Sequence, residues 1–118
     1  MSRTDAPADR PPTGLEDGAT GTRLTIDLEA LQWNYRHLQT IAPASEIGAS
    51  VKADAYGLGI EAVARALWAA GCRTYFVADL NEARELRALL PQDAIIYALN
   101  GLAPGLAEAY AAARIRPA

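Results

Sequence analysis

From residue 23 onward the apolar positions alternate between two periods, near two residues in some segments and near 3.6 in others. "RLTID" (23–27) alternates as a short strand does. Asp27 then stands where a helix cap belongs, and Leu28, Leu31, Tyr35 and Leu38 recur at helical spacing. "APAS" (42–45) breaks that helix. "IGASVKA" (47–53) is a weaker strand, because Gly48 and the alanines carry little β preference, and its place between two helices is what supports it. A "DAYGLG" turn follows. Ile60, Val63, Ala64, Leu67 and Trp68 then give one apolar face of a helix that Gly71 ends. "TYFVA" (74–78) predicts a strand, and Asp79 with Glu82 has capping-box spacing for a third helix with Ala83, Leu86 and Leu90 inward and Pro91 at its end. "AIIYAL" (94–99) is near-continuously apolar, as a strand buried on both faces should be. "NGLAPG" leads into an alanine-rich fourth helix ending near Ala113, and "RIRPA" (114–118) reads as the first residues of a fifth strand.

Four successive strand-then-helix units predict an α/β fold with a parallel sheet and right-handed crossovers. An open doubly wound sheet and a (β/α)8 barrel both satisfy that order. No G-x-G-x-x-G follows the first strand, which weakens a dinucleotide-binding reading. In a barrel the working residues come from the carboxyl ends of strands and the loops after them. Residues 1–22, rich in Pro, Gly, Thr, Asp and Arg without apolar periodicity, read as a disordered extension ahead of a domain at 23–118.

Composition narrows the chemistry. The chain has 118 residues, half of them hydrophobic and 21% charged, which suits one modest globular domain. A net charge of −3 offers no basic footprint for nucleic acid. The apolar runs are too short and too interrupted for a bilayer, and the N-terminus lacks the apolar core of a secretory signal, so a cytoplasmic protein is expected. Cys72 is the single cysteine and reads as a small packing residue; His37 is the single histidine, so no His/Cys metal site is expected.

The sharpest compositional signal is Lys52, the only lysine beside ten arginines. Coding bias toward arginine could leave one survivor by chance. The chemical alternative is that an amine can lose its proton and attack a carbonyl, whereas a guanidinium stays charged. Lys52 falls at the carboxyl end of a strand, with Tyr56 in the following loop and Gly57 and Gly59 permitting a sharp turn. An amine, a phenol and glycines at a barrel mouth suit a phosphorylated aldehyde, the amine on its carbonyl and the phenol near its phosphate. Taken alone, Tyr56 reads as a half-buried loop tyrosine rather than a ligand.

"VKADAYGLG" (51–59) resembles the pyridoxal-phosphate signature of the alanine racemases, commonly V-K-A-[ND]-A-Y-G-H-G, with Leu58 where the family often has histidine. "IDLEALQWNYRHL", "AVARALWAAGCRTYFVADLNEARELRALLP" and "IIYALNGL" extend the likeness through about residues 23–118. The resemblance implies the N-terminal half of a (β/α)8 barrel, about four βα units, and interconversion of L- and D-alanine with pyridoxal 5′-phosphate (PLP) as cofactor. It implies that Lys52 carries PLP as a Schiff base and, once freed, acts as acid and base on the D-alanine side, while Tyr56 contacts the cofactor phosphate. It also implies a homodimer. The family's opposite-face tyrosine belongs to a partner subunit's C-terminal domain, and its pyridine-facing arginine and most phosphate contacts belong to later barrel strands, none of them in these 118 residues. The chain alone is therefore expected to be inactive. The competing readings are a related barrel of the PLP-homeostasis type and a catalytically dead stub.

Overall fold

The computed structural model describes residues 21–118, so all but the last two residues of the expected extension lie outside the described residues. Along the chain run α1 (Leu28–Ile41), β1 (Ala49–Ser50), a single turn α2 (Lys52–Tyr56), α3 (Ile60–Ala69), β2 (Thr74–Val77), α4 (Leu80–Leu89), β3 (Ile95–Ala98), α5 (Ala107–Ala113) and β4 (Arg116–Pro117). The strands pair in chain order, β1-β2-β3-β4, and every pairing is parallel. Parallel neighbours in chain order require each connection to cross one face, and the helices make those crossings. α1 packs on α3, α3 on α4 and α4 on α5, so the helices line up side by side as the strands do.

The core lies between the two layers. Alternate strand residues Tyr75, Val77, Ile96 and Ala98 are fully buried, and Ala64, Ala83 and Leu86 meet them from the helices. On the opposite face Phe76, Ile95 and Tyr97 are only half-buried. The expectation that "AIIYAL" is buried on both faces is thus corrected for the described residues: β3 is fully buried on the helix side and half-buried on the other, where Phe76 stacks on Tyr97. Gly48 explains its own weak β propensity there. A Cβ at Gly48 would sit 2.6 Å from the Phe76 ring and 3.2 Å from the Thr74 carbonyl oxygen, so the residue makes room for a neighbour's ring.

The first expected strand is also corrected. Residues 23–27 form no strand, and Leu24 is 77% exposed. Alternation supplies side chains for a buried face, but a strand exists only where a neighbour completes its ladder, and β1 pairs only with β2. Along α1, Tyr35 is buried, Leu28 and Leu31 are half-buried, and Leu38 is exposed. Asp27 caps α1 as expected, its Oδ1 accepting from Ala30 N–H at 3.0 Å. β4 starts two residues into "RIRPA", paired with β3 through Tyr97 and Ala98.

Side chains lock the layers with hydrogen bonds to backbone. Tyr35 donates to the Ile47 carbonyl at 3.0 Å, Tyr75 to that of Ala64 at 3.0 Å, and Gln32 Nε2 to that of Ala66 at 2.7 Å. Arg87 donates to the carbonyls of Ala94 and Arg114, both at 2.7 Å, which ties the C-terminal end of α5 to α4. Cys72 is fully buried, as a packing residue should be, and its thiol donates to the Thr74 carbonyl at 3.3 Å. Burial pushes the Cys72 thiol above its ordinary 9.0 and the Tyr35 and Tyr75 phenols above their ordinary 10.0. In the unfolded chain these groups release their protons first, so their contribution is full below about pH 9 and is lost as pH rises through the folded values. Urea midpoints measured from pH 7 to 11 should therefore fall above about pH 9, and Cys72→Ser should move that onset upward.

Candidate active site

The carboxyl end of β1 holds the unusual backbone. The ladder continues one residue past β1, Val51 N–H donating to the Phe76 carbonyl at 2.9 Å, and Lys52 follows directly. Ala53, Asp54, Ala55 and Tyr56 then all take positive φ, between 53° and 57°, making one complete left-handed turn. Left-handed helical geometry costs an L-residue about 1–2 kcal/mol, so four in a row store roughly 4–8 kcal/mol. Strain of that size survives only where the surroundings impose it, and such sites concentrate at functional positions.

Here the imposing contacts can be named. Ala55 N–H donates to the Val51 carbonyl and Gly57 N–H to that of Ala53, which close the turn internally. Gly57, at φ 84°, ends it in a conformation glycine takes without cost. Asp54 Oδ1 accepts from Ile60 N–H at 2.8 Å, so it caps α3 from outside, since Gly59 at the cap position has no side chain. Glu82, in the first turn of α4, accepts from Ala53 N–H at 2.7 Å through one carboxylate oxygen and from Ala78 N–H at 2.7 Å through the other. Ala55 is buried beneath the turn against the core.

Ala53 is exposed and held at φ 53°, so it gives a test of the strain. Ala53→Gly should stabilise the fold by up to ~1 kcal/mol, the relief of left-handed strain outweighing the extra freedom glycine has when unfolded. A chemical-denaturation midpoint that falls instead of rising would show that Ala53 is not strained.

Lys52 and Tyr56 both lie at this rim, as expected from the sequence. Lys52 is half-buried, and among the described residues its amine has no ion-pair or hydrogen-bond partner. Tyr56 is 61% exposed, and its hydroxyl lies 2.9 Å from Ser50 Oγ. Leu58, at the position where the resemblance has histidine, is 40% exposed and contributes no polar group. The sequence reading missed three residues. Ser50 was hidden in a weak strand. Asp54 read only as a turn residue, although a short acid six positions before a helix start with glycine at the cap was the available signal. Glu82 was assigned to a capping box. Asp79 does cap α4, accepting from Glu82 N–H at 3.0 Å, but the Glu82 carboxylate reaches one residue further back and across to the lysine turn. Among the described residues no three His, Cys, Asp or Glu side chains cluster as metal ligands, and His37 stacks on Trp33 instead. No described helix is long and apolar enough to cross a membrane.

Comparison with known proteins identifies the family. Residues 26–118 match the family described as "Alanine racemase, N-terminal domain". The chain is 59% identical over 97 residues to an alanine racemase of Methylobacterium nodulans, covering 82% of this chain and 26% of that protein. It is 53% identical over 100 residues to a catabolic alanine racemase of Agrobacterium fabrum, covering 85% of this chain and again 26% of the relative. Among solved structures, alanine racemase from Bartonella henselae, with covalently bound pyridoxal phosphate, superposes with a TM-score of 0.73 at 46% identity, covering 76% of this chain and 25% of that one. The enzyme of Streptomyces coelicolor gives 0.68 at 40% identity, covering 75% and 24%. The chain thus spans about a quarter of the length of the curated relatives it matches. Its four parallel strands and outer helices correspond to the N-terminal part of the alanine racemase barrel. The chain belongs to the alanine racemase family, within that family's N-terminal domain.

Proposed function

We propose that this chain supplies the cofactor-bearing part of a PLP-dependent alanine racemase, which interconverts L- and D-alanine. The observation that carries the reading is the uncommitted amine of Lys52, presented at the carboxyl rim by a strained turn that the fold holds in place. PLP, when bound, supplies an aldehyde for that amine and an electron sink for charge at the substrate's Cα. The donor set fits it. Lys52 is the one side-chain primary amine in the chain, and an arginine in its place could not join a carbonyl carbon. Ser50 and Tyr56 share one hydrogen bond; if Ser50 donates it, the Tyr56 O–H is left to donate outward to a phosphate oxygen. Lys52 would hold the cofactor through its amine and, with that amine free, would move a proton at the substrate's Cα on the D-alanine side. The same reading makes the working enzyme a cytoplasmic homodimer that draws its opposite-face base from outside these 118 residues.

Borohydride reduction of the protein mixed with PLP tests the assignment. The pyridoxyl adduct should appear on the peptide carrying Lys52. The chain's α-amine is the sole competing primary amine, so an adduct confined to the N-terminal peptide would overturn the reading.

A further inference from the structure

We infer that Glu82 is the positioning residue of the lysine turn, fixing the direction in which Lys52 leaves the rim through its 2.7 Å hydrogen bonds to Ala53 N–H and Ala78 N–H. The inference rests on the reading of Lys52 as the cofactor-bearing amine. Ala53 N–H belongs to the rigid peptide plane that begins at the Lys52 Cα. With Val51 N–H held by the Phe76 carbonyl on the preceding side, anchoring that N–H restrains the Lys52 backbone angles, and with them the direction in which its Cβ leaves the chain. The anchor is not local: Glu82 is 29 residues away in sequence and sits on the next strand–helix unit, where its second oxygen holds the end of β2. One carboxylate thus locks the rim of β1 to the rim of β2, with a charge-assisted bond on each side.

The chemistry of the side chain makes the role specific to glutamate. A carboxylate offers two acceptor oxygens, whereas the glutamine amide offers one and turns its NH₂ toward an N–H donor. Glu82→Gln therefore breaks one of the two bonds without changing size. Glu82→Asp keeps the charge but shortens the reach by one methylene. It retains the near contact to Ala78, four residues back, and loses the distant one to Ala53.

The test uses the full chain and the reduced PLP adduct, read as the ratio of label on Lys52 to label on the α-amine, which serves as an internal reference. Amide hydrogen exchange at Ala53 is measured in parallel. In Glu82→Asp, which gives up the reach to Ala53, that amide should lose about tenfold or more of its protection, the weight of a hydrogen bond to a charged acceptor; in Glu82→Gln the loss falls on Ala53 or on Ala78, whichever the single amide oxygen releases. The label ratio should fall by about tenfold or more, because misplacing a reacting group by about an ångström costs up to ~10²-fold. Loss of Ala53 protection with an unchanged ratio would make Glu82 a structural tie only and overturn the inference. Unchanged Ala53 protection in Glu82→Asp would show that the bond to Ala53 is not made, with the same result. If unmodified protein labels only its α-amine, the reading of Lys52 falls, and the inference with it. If Glu82→Gln does not fold, Glu82→Asp carries both measurements, since it keeps the Ala78 bond and the charge.

Discussion

Lys52→Arg is expected to abolish the long-wavelength absorbance that develops when PLP is added to the protein, and to leave borohydride labelling on the α-amine alone. The substitution keeps the positive charge and most of the side-chain length, so the fold and the left-handed turn should persist. What disappears is the capacity to form a bond to carbon, because a guanidinium with a pKa above ~12 does not lose its proton under ordinary conditions. The expected loss is complete, which separates this result from the graded one expected at Glu82. Absorbance and adduct yield equal to those of the unmodified protein would mean that PLP binds elsewhere.

The second large effect concerns turnover. Assayed by itself with added PLP, the 118-residue chain should interconvert D- and L-alanine far below typical enzyme rates of roughly 1–10³ s⁻¹. Racemisation needs a base on each face of Cα. At this rim Lys52 can serve one face, while Tyr56, tied to Ser50, is assigned to the phosphate. Loss of one member of an acid–base pair commonly costs about 10²–10⁴ in rate. Loose anchoring of the phosphate adds to that. Turnover within the typical range that vanishes in Lys52→Ala would show a second base within this chain or across a dimer of it.

Much of this was legible in the sequence, and the reasons differ by element. The helices at 28–41, 60–69 and 80–89 announce themselves because an outward polar face and an inward apolar face at 3.6-residue spacing have few other uses. The position of Lys52 and Tyr56 at a strand's carboxyl rim was legible from residue chemistry and a specific motif, and both lie there. The strand expected at 23–27 was not formed, since alternation describes side chains and says nothing about which edge is available for pairing. The left-handed turn was illegible for a different reason. Ala-Asp-Ala-Tyr has no intrinsic preference for positive φ, and the contacts that impose it come from Ile60 N–H and from Glu82. Pattern reading sees neighbours along the chain, and this geometry is dictated from 29 residues away.

That distance has a consequence for the order of assembly. On a growing chain, residues 51–59 emerge well before residue 82. Until β2 has paired with β1 and α4 has started, nothing offers a carboxylate to Ala53, and the turn lacks one of the restraints that offset its strain. The Glu82 bond to the lysine turn therefore forms only after the second strand–helix unit has docked. Domains emerge N-terminal end first, at about 5–20 residues per second, so for a second or more the nascent chain carries an unaimed lysine. On the proposed role of Lys52, readiness for cofactor is in this way tied to completion of the neighbouring unit, and a chain stalled before Glu82 has the whole motif without the carboxylate that ties its turn to β2.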